Sequence, residues 1–230
     1  MFSVQDFIIL HRKQFVSMNI DVIKKIRNTP ITGEELVAML GDYKSPTMKL
    51  SQMEKSGEVI RLKRGLYVID GSVLGYPPSA PICSNHIYGP SYLSRHWALS
   101  YYGLIPERVY ELTAICFKRT RTFENKLGRF SYRQVPEDYY PIGIKTEMYD
   151  GMTFMVASPE KALCDMILTD SYVPCLSIAA LHTYLEEDIR LDMDELGSFD
   201  IDILSLCAQC GRKSRTIENL IKIIKRYESV

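Results

Sequence analysis

Apolar residues in the first third of the chain recur at helical intervals, punctuated by capping and breaking residues. Ser3 and Asp6 open an apolar-rich segment through Phe15 and Val16, and this predicts a first helix. A second places Ile20, Ile23 and Ile26 on one side and Lys24, Lys25 and Arg27 on the other, and Asn28-Thr29-Pro30 breaks it. Thr32-Gly33-Glu34-Glu35 predicts a capping box, the Thr32 hydroxyl accepting the Glu35 amide. The helix it starts should bury Leu36, Val37 and Leu40 and end at Gly41. After the turn Gly41-Asp42-Tyr43-Lys44, Ser45-Pro46 supplies an N-cap and a proline at the first helical position. That helix should run to about Ser56 and stop at Gly57, with Met48, Leu50 and Met53 on its apolar side. Val59 to Lys63 then alternates apolar and basic residues, Arg64-Gly65 marks a turn, and Leu66-Tyr67-Val68-Ile69 follows, which together predict a β-hairpin with a basic tip. Helix, helix, turn, helix and basic hairpin is the layout of a winged helix-turn-helix, expected over residues 1–72.

Pro77-Pro78-Ser79-Ala80-Pro81 is the one proline-rich stretch and the expected linker to a second domain over residues 82–230. There, Pro90-Ser91 should start a helix through Tyr102, closed by Gly103, and Val109 to Phe117 should be a buried strand. Two hairpins are expected, one from Thr120 to Val135 around Leu127-Gly128, the other pairing residues 142–149 with 152–157 around Asp150-Gly151. Ser158-Pro159 repeats the cap-then-proline start and leads a helix through Leu168, with Ala162 and Leu163 facing a sheet. Glu160, Lys161 and Asp165 offer an alternative as a polar site, but Glu160 and Lys161 are adjacent and cannot share a face, so a solvated helix start is expected there. A final helix from Ser214 should turn Ile217, Leu220, Ile221, Ile224 and Tyr227 to the core. The fold class is therefore expected to be α+β: a winged helix-turn-helix followed by a mixed α/β domain with a helical tail.

Charge changes this picture locally. The 230 residues balance 28 Lys+Arg against 28 Asp+Glu, but residues 43–67 hold six basic and two acidic residues. A polyanion responds to that local excess. Residues 186–202 are acidic, Arg190 being their one cation. No apolar run approaches the ~18–20 residues of a membrane span, and the N-terminal residues lack the order of a secretory signal, so a cytoplasmic protein is expected. The six cysteines suggest reduced, mostly buried thiols, with Cys83 and Cys116 in strand-like surroundings. Cys207-Ala-Gln-Cys210 lacks the second pair that structural zinc needs, and His11, His86, His96 and His182 share no metal-ligand spacing. No metal or other cofactor is expected.

The recognition helix of a helix-turn-helix needs side chains that hydrogen-bond base edges and flanking donors for phosphates. Lys44, Ser45, Thr47, Lys49, Ser51, Gln52 and Lys55 supply both. Gln52 is the candidate base reader, since its amide bonds an adenine edge twice. Arg61, Lys63 and Arg64 on the hairpin can follow the backbone or enter the minor groove. A second basic cluster, Lys118, Arg119, Arg121, Lys126, Arg129 and Arg133, is a candidate for additional phosphate contacts. The plainer alternatives are solvated surfaces and a winged helix that contacts only protein. For catalysis, no nucleophile elbow, P-loop or H-E-x-x-H occurs. Glu124-Asn125-Lys126 is a fragment of a metal-dependent nuclease pattern, which leaves a DNA-processing nuclease as an alternative. Nothing else in the sequence calls for an enzyme.

Three motifs then appear in order: Gly89-Pro-Ser-Tyr-Leu-Ser-Arg-His-Trp-Ala-Leu-Ser-Tyr-Tyr-Gly-Leu-Ile-Pro-Glu107; Arg121, Phe123, Gly128, Phe130 and Tyr132; and Ala157-Ser-Pro-Glu-Lys-Ala-Leu-Cys-Asp165. With Lys63-Arg64-Gly65-Leu66-Tyr67 before them, the chain resembles the AbiEi family of type IV antitoxins and related regulators over about residues 20–170. The resemblance implies a winged helix that binds inverted repeats in double-stranded DNA at its own promoter. It also implies a C-terminal domain that counteracts a nucleotidyltransferase-like toxin, functionally and without a required stable complex. The region after residue 170 carries none of these motifs.

Overall fold

A computed structural model of the chain describes residues 29–41, 43–149, 151–171, 173 and 177–227. The two helices expected before Asn28, together with Asp42 and Asp150 of the expected turns, lie outside the described residues. The chain is a mixed α+β protein that divides into two compact units. Among the described residues the first comprises those up to Cys83 with Asn125–Leu127, and the second comprises Ser84–Glu124 with those from Gly128 onward.

In the first unit, β1 (Ile31–Thr32) leads directly into α1 (Gly33–Met39), and the capping box is complete. Thr32 Oγ1 accepts from the Glu35 amide at 3.2 Å, and Glu35 Oε2 accepts from the Thr32 amide at 2.9 Å and its hydroxyl at 2.7 Å. Those hydroxyl and amide donors hold the Glu35 carboxyl below its ordinary value. α2 (Pro46–Ser56) starts on proline and ends on Gly57 at φ +81°, where a side chain would be strained. Ser45 stands at its N-cap without a side-chain capping bond, so proline sets this start and the serine hydroxyl does not.

β2 (Val59–Lys63) and β3 (Leu66–Ile69) form the hairpin, and β1 pairs with the far side of β3, giving the antiparallel order β1-β3-β2. Ile31, Leu36, Leu40, Leu50, Met53, Val59, Tyr67 and Ile69 make the core. Met48, expected on the apolar side of α2, is 62% exposed: it lies off the Leu50–Met53 stripe. α3 (Gly71–Leu74) is capped by Asp70, whose carboxylate accepts from the Ser72 amide at 2.9 Å and is held below its usual value by that bond.

α4 (Ala80–Ile87) begins within the proline-rich stretch and carries Cys83. Cys83 therefore sits on a helix, not the strand expected, because Ser79 and the prolines start a turn there; Ser79 Oγ accepts from Ile82 N at 3.5 Å. The second unit is built on a six-stranded sheet. Its strands are β4 (Tyr92–Leu93), β5 (Leu112–Cys116), β6 (Arg121–Asn125), β7 (Gly128–Gln134), β8 (Ile144–Tyr149) and β9 (Met152–Ala157), in the order β6-β7-β5-β4-β9-β8. β5 runs parallel to β7 and β4 parallel to β9, while β4–β5 and β8–β9 are antiparallel.

The helix expected from Pro90-Ser91 starts instead at Arg95, as α5 (Arg95–Tyr101), because Tyr92 and Leu93 are taken by the sheet. Its amino end is capped from a neighbouring strand: Thr113 Oγ1 accepts from Trp97 N at 3.2 Å and donates to Ser94 O at 2.6 Å. α6 (Pro159–Thr169) has the expected Ser158 cap. α7 (Ile178–Thr183) runs into a π turn over Tyr184–Asp188, a 3-10 turn follows at Asp194–Ser198, and α8 (Ile201–Cys210) and α9 (Ser214–Tyr227) complete the unit. α9 buries Ile217, Leu220, Ile223 and Ile224; Ile223 takes the place expected of Ile221, which is only half-buried.

Candidate nucleic-acid interface

Helix α2 buries Leu50 and Met53 and turns the rest of its circumference outward. Lys44, Ser45, Thr47, Ser51, Gln52 and Lys55 are exposed and Lys49 is half-buried. Thr47, Ser51 and Lys55 follow one another at four-residue intervals, so they line one stripe, with Gln52 beside it. The Lys49 ammonium sits 5.5 Å from the centre of the Tyr43 ring, which restrains the cation on the helix flank.

The hairpin carries Arg64 exposed at its turn and Lys63 half-buried beside it. Gly65, at φ +76°, allows that turn. A cleft of about 540 Å³ is lined by Thr32, Gly33, Glu34 and Val37 on one side, Thr47 and Leu50 of α2, and Gly65 and Tyr67 of the hairpin. The amino-terminal half of α2 and the hairpin turn are thus neighbours across one opening. Arg61 is exposed too, and its guanidinium pairs with Glu54 of α2 at 3.6 Å. Its charge is therefore partly spent within the unit.

The second basic cluster is exposed throughout, but it does not converge on one patch within one unit. Lys126 belongs to the first unit; Lys118, Arg119, Arg121, Arg129 and Arg133 belong to the second. Lys118 and Arg121 meet at the Tyr88 ring, 5.7 Å and 5.8 Å from its centre, and Lys118 also donates to Gly89 O at 2.5 Å. Arg129 pairs with Glu111 at 3.3 Å. Glu124, the acid of the nuclease-like fragment, is exposed on β6. Among the described residues, no group of three or more His, Cys, Asp or Glu is placed to hold a metal ion, and no helix is long and apolar enough to cross a membrane.

The Ala157–Asp165 motif has another role. Glu160 and Lys161 were expected on a solvated helix start, yet both are buried, and Lys161 and Asp165 have no exposed surface at all. α6 is covered on more than one side, so adjacent residues of its first turn are both enclosed. The Lys161 ammonium pairs with Asp165 at 3.4 Å, donates to Tyr139 O at 2.9 Å and lies 3.1 Å from the centre of the Tyr139 ring. Asp165 also accepts from Ser94 Oγ at 2.6 Å and Tyr92 OH at 3.4 Å, which ties α6 to β4 and the start of α5. Burial pushes the Asp165 carboxyl up, against the opposing pull of Lys161 and these donors. Glu160 Oε1 accepts from Asp200 N at 3.1 Å, at the cap of α8. Tyr92, Ser94, Tyr139, Lys161 and Asp165 are all fully enclosed, so this cluster joins elements of the second unit. The i, i+4 spacing of Lys161 and Asp165 was the available sequence signal for it.

No family model matches the chain, and no curated protein shows significant similarity to it.

Proposed function

We propose that the chain is a DNA-binding regulator whose first unit is a winged helix-turn-helix. α2 is the recognition helix and the β2–β3 hairpin the wing. The observation that carries this reading is that Thr47, at the start of the polar stripe of α2, and Gly65, at the basic hairpin turn, line one cleft, with Leu50 and Met53 burying the other side of the helix in the core. A helix presented in this way fits the major groove, and cations beside it can reach the flanking phosphates. Gln52 is the base reader, Thr47 and Ser51 supply shorter hydrogen-bonding groups, and Lys44, Lys49, Lys55, Lys63 and Arg64 hold the backbone.

A gel shift on DNA from upstream of the coding sequence tests this reading. Retardation at low salt is expected, with log K falling linearly as log salt rises, by about 0.9 for each phosphate engaged. Gln52→Ala should narrow the preference for operator over scrambled DNA by about 1–3 kcal/mol and leave the salt slope unchanged. Absence of any shift in dilute buffer would reject the reading in favour of a module that contacts only protein.

The order of the three C-terminal motifs supports the further proposal that the chain is an AbiEi-type antitoxin, repressing its own promoter at inverted repeats and counteracting a nucleotidyltransferase-like toxin. Co-expression with the product of the adjacent open reading frame checks it. Growth arrested by that product alone should resume when this chain is supplied. A neighbour without toxicity, or toxicity that persists, removes the antitoxin role and leaves the regulator.

A further inference from the structure

β8 lies at one end of the six-stranded sheet, and no strand pairs with its outer side among the described residues. Natural edge strands are blunted by proline, a bulge, shortness or charged side chains, and of these β8 carries only charges, Lys145 and Glu147. β8 is six residues long, contains no proline, and keeps an unbroken register with β9 from Ile144 opposite Ala157 to Tyr149 opposite Met152. Met148 is 72% exposed and Tyr149 50%.

The direction of its main-chain groups follows from one bond. Ser158 N donates to Gly143 O at 2.7 Å, which marks residues 143 and 158 as a hydrogen-bonded pair. Such pairs alternate along an antiparallel ladder. Lys145, Glu147 and Tyr149 therefore turn their N–H and C=O groups toward β9, and Ile144, Thr146 and Met148 turn theirs outward. The sequence of this edge, Ile144-Lys145-Thr146-Glu147-Met148, is self-complementary: apolar, positive, neutral, negative, apolar.

We propose that β8 pairs antiparallel with β8 of a second copy of this chain, about a two-fold axis through Thr146. In this register Thr146 faces its own copy and Ile144 faces Met148, each as a hydrogen-bonded pair, for about six main-chain bonds in all. Lys145 of each protomer then lies opposite Glu147 of its partner, in the non-hydrogen-bonded positions where side chains approach most closely. Moving the axis by one residue sets Lys145 against Lys145 or Glu147 against Glu147, and like charges directly opposite are destabilising. No ion pair among the described residues already engages Lys145 or Glu147. Met148, exposed in the single chain, gains an apolar partner. This assembly does not depend on DNA binding, although a two-fold dimer carries two copies of the first unit, as an inverted repeat requires.

Sedimentation velocity of the full chain without DNA, from ~1 to ~100 μM, tests the proposal over the range in which a modest interface associates. A dimer fraction that rises with concentration is expected. Lys145→Glu and Glu147→Lys should each weaken the dimer by about tenfold, since two symmetric pairs turn repulsive, and the two together should restore it. Thr146→Pro should abolish it while leaving the unit folded by circular dichroism, because the N–H it removes points away from β9. A monomer at every concentration overturns the proposal. So does a dimer that ignores the single charge reversals, or one that the double reversal fails to rescue. DNA binding is read separately, so either idea can fail alone.

Discussion

Asp165→Asn is expected to destabilise the protein by about 3–5 kcal/mol at neutral pH, the range found when one partner of a buried ion pair is removed. The variant leaves the Lys161 ammonium enclosed beside Tyr139 with no countercharge, and an amide can replace only part of what the carboxylate accepts from Ser94 and Tyr92. Lys161→Met combined with Asp165→Leu should lose much less than the sum of the two single changes, because no charge is then stranded in the interior. Urea unfolding of the four proteins gives the coupling directly. Additive losses would mean that the pair is not the joint described above.

Acid acts through the two helix-capping carboxylates. Glu35 and Asp70, held low by hydrogen bonds, contribute stability that is present above the ordinary carboxyl value and lost as pH falls through the lowered one.

Lys63→Ala with Arg64→Ala is expected to produce the largest change in DNA affinity. The loss should be similar on operator and unrelated sequences, and the slope of log K against log salt should fall by about two. The reason is positional: these two cations stand at the hairpin turn, whose Gly65 shares a cleft with Thr47 of α2. Arg61→Ala should have a smaller effect, since Arg61 is paired with Glu54 before any DNA arrives. Salt titrations of the three proteins on one duplex check the ranking. An unchanged slope in the double variant would remove the wing from the contact set.

Where a few neighbouring residues decide the outcome, the sequence was readable. Thr32 and Glu35 define a helix start from within four residues, Gly57 ends α2 because the chain there needs a left-handed turn, and Arg64-Gly65 marks the hairpin tip. The pattern failed where a side chain's partner is far along the chain. Ser94 stands at the N-cap of α5, yet its hydroxyl goes to Asp165 and the capping bond comes from Thr113. Ile223 replaces Ile221 inside because α9 has several apolar positions to offer and its neighbours choose among them.

The candidate interface divides in the same way. The residue types that could meet DNA and their clustering in 44–64 were legible from polarity and charge alone. That Arg61 is paired with Glu54, that Met48 is exposed, and that Thr47 and Gly65 share a cleft were not.

Local chemistry therefore determined the α+β class, the helix starts and stops, the hairpins and the basic character of the first unit, because capping, turn geometry and periodicity act over a few residues. Tertiary structure alone decided that Lys161 and Asp165 are a buried joint and that β8 is, among the described residues, an end strand of its sheet. Burial and strand order depend on what segments tens of residues away place on each side, and no local pattern encodes that.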